Sequence, residues 1–363
     1  MAVIQAAQID GLVKTTQPHI VRDRIASIAQ LETRYVAFRQ LFKKHRVNVT
    51  DGTSIQWNMN TEFAGTAVQV GLYDTIAPSS TLHQVQATIP WRHTRVHASW
   101  DLREIAMNRS PARIVNYVKS KIFEMDGNEV EHIETQFWGV PAAGDDQSVF
   151  GVQYYDYTIV DAAGSATGDF AATGDGAQTN LNLAAFSAGP GGISRVTYPR
   201  SGNWHQVYAN ANYESLVTIV RQNADNSDFE SPVDFNELRD GSTDKGYYCR
   251  QSTRRDLEDT ARSQNDRIGP DLAYYDGKTM IRGVPVVGVP HLDRIDKARA
   301  TPVYPFYQLD WSQIYVVALE GFNPYEVTET GGSNQPMVVT RARYRTWNIK
   351  CCNAKYLAVF TTS

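Results

Sequence analysis

The chain has 363 residues, of which 42% are hydrophobic, and its 35 Lys and Arg against 39 Asp and Glu give a net charge of −4. This composition is typical of a globular protein and excludes a disordered or fibrous chain. Its apolar runs reach only about six residues, far below the roughly 18 that cross a bilayer, so no membrane span is predicted. The N-terminal sequence lacks the pattern of a secretion signal. Three cysteines without a CxxC spacing predict a reducing cytoplasm and no disulfide framework.

Acidic residues are concentrated in one part of the sequence. Residues 1–121 carry 15 Lys and Arg against 8 Asp and Glu, whereas residues 122–194 carry 11 Asp and Glu and no Lys or Arg. Because opposite charges attract, this pattern predicts contact between acidic and basic parts, either within the fold or between copies of the chain. A solvated acidic face is the alternative interpretation.

The N-terminal part predicts an arm followed by strands. Residues 1–45 contain one amphipathic stretch, which is too thin to form a core alone. Hydrophobic residues then alternate on either side of Asp51-Gly52, a dipeptide typical of tight turns, and the second run includes Trp57. This pattern predicts a β-hairpin around the Asp-Gly turn.

A further alternating run occupies residues 85–100. The parity of its apolar positions changes partway, so one straight strand would turn half of them away from the core. A bulge or bend between Arg92 and Arg95 would reconcile the two halves.

The clearest element is a long helix that begins with Pro111 and ends before Gly139. Apolar residues recur at helical spacing over about 27 residues, and proline and glycine are typical of the two ends. The second half is acidic and includes Glu129, Glu131 and Glu134, although the C-terminal end of a helix favours cations. We therefore expect a basic surface to lie against this helix.

Beyond this helix, strands and helices are predicted to alternate as in an α/β layer. Residues 145–192 are rich in Gly, Ala, Asp and Thr, which predicts a surface insertion with a strand near residues 152–160. We predict further strands at residues 207–209, 284–290, 314–319, 338–350 and 356–360, a helix capped by Asn212 and a helix at residues 253–261.

Three arginines, Arg341, Arg343 and Arg345, alternate along the long C-terminal strand and therefore share one of its faces. Such a ladder suits either a polyanion or the acidic helix. Three arginines are too few for a nucleic-acid footprint in a protein with a slightly acidic pI, so the sequence favours carboxylates within the assembly.

The patterns that we tested for catalysis give no support for it. Residues 277–279 end like a phosphate-binding loop, but a strand follows where that motif needs a helix. His93 and His97 would lie about 13 Å apart along a strand, too far to share a metal ion. We find no nucleophile elbow and no catalytic cysteine signature. We therefore predict no enzyme and no catalytic, cofactor-binding or metal-binding residues.

The order of these elements resembles that of the major capsid proteins of tailed bacteriophages, which share the Hong Kong 97 phage fold. Four stretches carry the resemblance: WDLREIAMNRSPARIVNYVKSKIFEMDGNEVEHIETQFWGVP (residues 100–141), YYDGKTMIRGVPVVGVPHLD (274–293), FYQLDWSQIYVVAL (306–319) and CCNAKYLAVF (351–360). The resemblance implies an α+β fold with an N-terminal arm, an extended β-hairpin loop, a peripheral domain with a long spine helix, and an α/β axial domain.

The resemblance also implies domain boundaries. These are residues 1–45 for the arm, 46–98 for the extended loop, 99–144 for the peripheral domain with the spine helix, 145–192 for the insertion, 193–335 for the axial domain and 336–363 for the return strands of the peripheral domain. No stretch before residue 17 resembles a scaffolding segment, so either a separate scaffolding protein or an already mature chain is expected. No lysine and asparagine match the covalent crosslink of one branch of the family.

The function implied by the resemblance is self-assembly into an icosahedral shell around double-stranded DNA. Implied partners are further copies of the chain in hexamers and pentamers, a portal protein, scaffolding and decoration proteins, and DNA bound without sequence preference, with no membrane involved. The virion would be assembled in the bacterial cytoplasm. Combining this with the patterns above, we expect an assembly interface at Asp51, Gly52, Trp57, Arg92, Arg95, Glu129, Glu131, Glu134, Arg341, Arg343 and Arg345.

Two classes of alternative stay open at this point. An encapsulin-type nanocompartment would use the same fold to enclose a protein cargo. A monomeric carbohydrate-binding or enzymatic β-rich domain would use exposed aromatic residues or a converging set of carboxylates.

Overall fold

The computed structural model describes residues 35–43, 45–60, 69, 84–107, 111–139, 147–155, 190–193, 203–208, 213–227, 229, 244–264, 279–298, 302–330 and 337–362. The amphipathic stretch predicted within residues 1–34, the Asn212 cap and most of the predicted insertion lie outside these residues. The helices are α1 (Val36–Leu41), α2 (Leu102–Met107), α3 (Pro111–Trp138), α4 (Val152–Tyr155), α5 (Tyr213–Ser227), α6 (Gln251–Gln264) and α7 (Pro290–Lys297).

The strands within the described residues form three sheets. They are β1 (Val47–Thr50), β2 (Ile55–Asn60), β3 (Gln84–Ile89), β4 (Arg92–Asp101), β5 (Trp204–Tyr208), β6 (Lys245–Cys249), β7 (Met280–Ile281), β8 (Val284–Gly288), β9 (Phe306–Asp310), β10 (Ile314–Leu319), β11 (Tyr325–Thr330), β12 (Val338–Cys351) and β13 (Ala358–Thr362). The first sheet has the order β1-β10-β12-β11, with β4 also paired to β12, the second has the order β5-β13-β9-β6-β8-β7, and the third consists of β2 and β3.

The long helix predicted from the sequence is present. Helix α3 contains 28 residues and is therefore about 42 Å long. Its inward face buries Met125, Ile133, Phe137 and Trp138, and the backbone N–H of Gly139 closes its last turn. No helix among the described stretches combines the length and the apolarity that spanning a membrane requires.

The β-hairpin predicted around Asp51-Gly52 is wrong. The chain does turn there, with Gly52 at a φ of +110° that favours glycine, but the two flanking strands pair with other partners. Strand β1 runs parallel to β10, and β2 pairs antiparallel with β3. The β2–β3 register places Ile55 opposite Ile89, and both side chains are buried in the main core. Burial of this pair favours the distant partner over the adjacent strand.

The predicted change of parity is present, two residues before the expected position. In β3 the buried side chains are Ala87 and Ile89, at odd positions, whereas in β4 they are Arg92, Thr94 and Ala98, at even positions. The strand breaks between them at Pro90, because proline has no N–H to continue a ladder. Strand β4 then pairs with β12 along its whole length of ten residues.

The second sheet and its helices form the predicted α/β layer. Strands β5 and β13 are parallel, as are β6 and β8, while β9 runs antiparallel between them. The predicted helices appear as α5 and α6, and Leu216 and Val220 of α5 are fully buried in a second core. Strand β5 begins three residues earlier than predicted and β13 two residues later, because their register places Ala358 opposite Trp204.

The strand predicted near residues 152–160 is wrong where the structure describes it. Residues 152–155 form α4, a single helical turn. The turn buries Tyr154 against the ring of Phe150 at a centroid distance of 3.7 Å, and lets Tyr155 Oη donate to the carbonyl oxygen of Ile349 at 2.7 Å. An alternating strand would turn one of two adjacent tyrosines away from the core.

Asn348 joins three segments inside the first core. It is fully buried, its Oδ1 accepts from the backbone N–H of Phe150 at 3.0 Å, and its Nδ2 donates to the carbonyl oxygen of Pro90 at 2.8 Å. We expect Asn348→Ala to lower the free energy of unfolding by about 2–4 kcal/mol, because two buried polar groups lose their partners. Urea unfolding measures this, with Asn58→Ala on an exposed position of β2 as the control. Equal losses in both variants would contradict this role.

Candidate assembly interface

The arginine ladder of β12 faces the acidic helix of the same chain. Arg343 Nη1 donates to Glu129 Oε2 at 2.6 Å and to Asp126 Oδ1 at 2.7 Å, and Arg345 Nε bonds Glu129 Oε1. The antiparallel register with β4 places Arg343 opposite Val96, so both side chains lie on the face that α3 covers. The basic surface expected against the acidic helix is therefore β12.

The ladder also reaches the edge of its own sheet. Glu326 on β11 is the register partner of Arg343 and bonds both Arg341 and Arg343. Arg345 Nη1 donates to Asn323 Oδ1 at 2.7 Å, and its guanidinium lies 5.3 Å from the ring centroid of Phe42. Every rung of the ladder thus has partners from the same chain.

These contacts balance the local charge. Three arginines meet three carboxylates, Asp126, Glu129 and Glu326, and Glu129 is only 4% exposed. Burial would lower the pKa of Arg343, but its bonds to Glu129 and Glu326 outweigh burial and raise it. Hydrogen bonds from Arg341 and Arg343 lower the pKa of Glu326. Of the two interpretations of the ladder, polyanion or acidic helix, the structure supports the helix.

Glu134 is enclosed by N–H donors. Its carboxylate accepts from the backbone N–H groups of Val36, Ala37 and Phe38 and from Trp138 Nε1, at 2.8 to 3.1 Å. The residue has no exposed surface. It joins the start of α1 to the end of α3 and is not accessible to another copy.

Glu131, one turn before, lies closer to the surface. Its Oε1 is 3.6 Å from Arg294 Nη1 on α7, which links α3 to the helix that follows β8. Both side chains remain partly exposed. Among the three acidic residues predicted at the interface, Glu131 is the one that solvent reaches, and its contact with another copy stays a prediction.

Of the other predicted interface residues, Asp51 and Gly52 lie in the turn before β2, and Trp57 lies in β2 itself. The carbonyl oxygen of Gly52 accepts from Trp91 Nε1 at 2.9 Å, and the turn around Asp51 borders a cavity of about 250 Å³. Trp57 packs against Gly191. A Cβ added at Gly191 would lie 3.5 Å from the Trp57 ring and only 3.0 Å from Ala87 Cβ, so a larger residue fits poorly there. Their contact with a second copy stays a prediction.

Arg92 and Arg95 have different surroundings although they belong to the same strand. The guanidinium of Arg92 is buried 5.3 Å from the ring centroid of Phe150. Arg95 is exposed and borders a cavity of about 500 Å³ together with His93 and His132. Arg95 is therefore the better placed of the two for a contact outside the subunit, and this contact too stays a prediction.

Sequence reasoning missed two buried charges. Arg46, only 1% exposed, pairs with Asp244 and lies over the ring of Trp311. The second is Glu134, which is fully buried and caps α1. Neither contact has a local signal, because Asp244 lies 198 residues from Arg46 and Ala37 lies 97 residues from Glu134 in the chain.

The described residues offer little to hold a metal or a cofactor. Among them, no group of three or more His, Cys, Asp or Glu side chains is close enough to bind a metal ion. Cys249 and Cys351 are buried, Cys352 is half-buried and all three are unbridged. Burial raises the pKa of the Cys249 thiol, which disfavours the nucleophilic thiolate.

Solved structures similar to the chain are capsids. No protein-family model matches the sequence, and no curated protein matches it. The capsid asymmetric unit of cyanophage A-1(L) has a TM-score of 0.57 at 12% identity and covers 87% of this chain and 89% of that chain. The capsid of the native GTA particle has a TM-score of 0.54 at 10% identity and covers 95% and 96%. The capsid of Myoviridae phage XM1 has a TM-score of 0.51 at 10% identity and covers 100% and 99%.

This similarity extends over nearly the whole length of both chains in each comparison. It confirms the predicted fold class, an α+β fold of the Hong Kong 97 type found in tailed-phage capsids. At such low sequence identities, the similarity establishes the fold alone and not the function.

Arg343 and Arg341 provide a matched pair for testing the ladder. We expect Arg343→Met to lower the free energy of unfolding by about 2–3 kcal/mol, because buried Glu129 loses a charged donor. Arg341→Met should cost at most about 1 kcal/mol, because Arg341 and Glu326 are each about one-third exposed. Urea unfolding of the isolated subunit measures both. Equal costs would contradict this prediction, because the buried network at Glu129 would then add no more stability than the exposed pair of Arg341 and Glu326.

The lowered pKa of Glu326 gives a pH dependence with a defined sign. A carboxyl group whose pKa is lower in the folded state contributes stability above its unfolded pKa and loses it as the pH falls through the folded pKa. We therefore expect Glu326→Gln to reduce stability at neutral pH. The difference from the unmodified protein should shrink progressively below pH 4.5, which is the ordinary pKa of a glutamate carboxyl group. Urea unfolding of both proteins across this range measures it, and a constant difference would contradict the pairing.

Proposed function

We propose that this chain is the major capsid protein of a tailed bacteriophage and self-assembles into an icosahedral shell around double-stranded DNA. The observation that carries the proposal is the end-to-end similarity of its fold to capsids, with up to 100% of this chain and 99% of the other chain covered. The role is structural rather than enzymatic.

The proposed domain organisation follows the resemblance. Residues 1–45 form the arm and 46–98 the extended loop, of which β2 and β3 are the base. The peripheral domain combines residues 99–144, including α3, with the return strands of residues 336–363, and residues 193–335 form the axial domain. Of the return strands, β12 pairs with β4, whereas β13 joins the second sheet between β5 and β9 of the axial domain. Contacts between α3 and β12 tie the two parts of the peripheral domain together.

The shell would be built from many modest contacts between copies in hexamers and pentamers. Arg343 and Arg345 are unsuited to binding DNA, because carboxylates of the same chain neutralise them. The shell would therefore contact DNA through other cations, without sequence preference. A portal protein, a scaffolding protein and a decoration protein complete the proposed set of partners, with assembly in the bacterial cytoplasm.

The extended loop offers the sharpest test of this function. Asn60 and Gln84 are the last register partners of β2 and β3, so an Asn-Gly turn can replace residues 61–83 and still connect the strands. We expect this variant to fold and to remain soluble, but to form no closed shells of wild-type diameter, because the loop contacts a neighbouring subunit. Sedimentation velocity and electron microscopy of the full-length chain and the variant measure this.

The outcomes separate the candidate functions. Shells from the full-length chain that enclose nucleic acid support the proposal, whereas shells that take up only a protein cargo indicate a nanocompartment. A full-length chain that stays monomeric with and without the products of neighbouring genes contradicts the proposal. Loop-deleted particles of normal diameter would contradict the role of the loop.

Reversing the charge of Glu129, Glu131 and Glu134 together would not test assembly. Glu129 and Glu134 are 4% and 0% exposed. Lysines at these two positions would disrupt the fold of the subunit, so a loss of assembly would not report on an interface. Glu131→Lys alone is the informative variant, because its carboxylate is partly exposed.

A further inference from the structure

Helix α1 has its N-terminus capped by a side chain from a distant segment. The first N–H groups of any helix lack partners within it, and Tyr35 at the cap position forms no side-chain bond with them. Glu134 supplies the missing acceptor: Val36 and Ala37 each donate to its Oε1 at 3.1 Å, and Phe38 donates to its Oε2 at 2.9 Å. One carboxylate thus satisfies three consecutive N–H groups.

The Glu134 carboxylate is held by hydrogen bonds rather than by a cation. Its Oε1 also accepts from Trp138 Nε1 at 2.8 Å, and within the described stretches no Lys or Arg pairs with it. The positive end of the α1 dipole and these four donors compensate a fully buried negative charge. Loss of α1 from this position would leave the charge without three of its donors.

The other end of the same segment is fixed as well. Arg46 Nη1 donates to the carbonyl oxygen of Gln40 at 2.9 Å and to its Oε1 at 3.0 Å, and Arg46 also pairs with Asp244. Residues 35–46, which we name the arm root, are therefore held at one end by α3 and at the other by the residue that precedes β6. A helix of six residues is not stable alone, so these anchors determine where the root lies.

We propose that Glu134 is a positioning residue for the N-terminal arm. By capping α1 it fixes the place and the direction of the arm root in the subunit, and shell assembly depends on this placement. The inference rests on the proposed function, because an arm that reaches a neighbour needs the same starting geometry in every copy.

Glu134→Gln in the full-length chain is the direct test. The amide has nearly the same shape, but its NH₂ group cannot accept the hydrogen bond that Phe38 now donates to Oε2. We expect hydrogen exchange within residues 36–42 to become about tenfold faster or more, with little change in α3 and β12. In the same variant we expect fewer closed shells per folded subunit, measured by sedimentation velocity and electron microscopy.

Glu124→Gln is the matched control, because Glu124 lies on the same helix with 54% of its side chain exposed. It should change neither exchange nor assembly. Glu134→Asp keeps the charge but is shorter, so it should give an intermediate effect, and it carries the same test where the Gln variant does not fold.

Three results would overturn the inference. They are unchanged exchange in the root, faster exchange spread equally over α3 and β12, and a released root with normal assembly. Failure of the unmodified chain to form shells would instead count against the proposed function, while the exchange measurement would still decide whether Glu134 holds the root.

Discussion

Burial of two carboxylates of α3, Glu129 and Glu134, is the constraint on which the rest of this structure depends. The helix brings Glu129 and Glu134 into contact with the core, and a buried carboxylate is costly unless charged or N–H donors surround it. The chain meets this requirement in two ways. Glu129 receives the guanidinium groups of Arg343 and Arg345, whereas Glu134 receives the N-terminus of α1.

Each of these solutions connects α3 to a segment far away in the chain. The contact with β12 spans 214 residues and the contact with α1 spans 97. A helix with an apolar face could pack against many surfaces, but these carboxylates accept only partners that present donors in the right places. The polar contacts therefore specify which strand and which helix lie against α3, while apolar burial supplies most of the driving force.

The sequence predicted correctly those helices and strands that have a strong pattern within their own residues. Helix α3 has a proline start, a glycine end and an apolar stripe, strand β10 is an unbroken apolar run, and the arginines of β12 alternate with other residues. Pairing was less predictable, because a turn such as Asp51-Gly52 shows where the chain reverses but not which strand lies beside it. The burial of Ile55 opposite Ile89 decided that question. Helix α4 was misread for a related reason, since four residues are too few for a helical period to emerge.

The residues of the candidate site likewise differ in how far the sequence revealed their contacts. Alternation revealed that the three arginines share a face, and the run of acidic residues indicated that a basic surface would cover α3. The assignment of Glu129 and Glu134 to contacts between copies did not anticipate their burial, because burial depends on which elements meet. The cap on α1 left no trace in the sequence, since a glutamate that caps another helix looks like any other glutamate on an acidic stretch.

Exposed and buried charges of this chain differ in how far they can be substituted without loss of stability. Surface side chains such as Arg95 and Glu131 can change at little cost to the fold, because they lie at or near solvent. Glu129, Glu134 and Arg46 cannot, because each is the partner of groups that would otherwise be buried without compensation. The buried charges therefore fix where α1 and β12 lie against α3, whereas the exposed charges do not constrain the fold in this way.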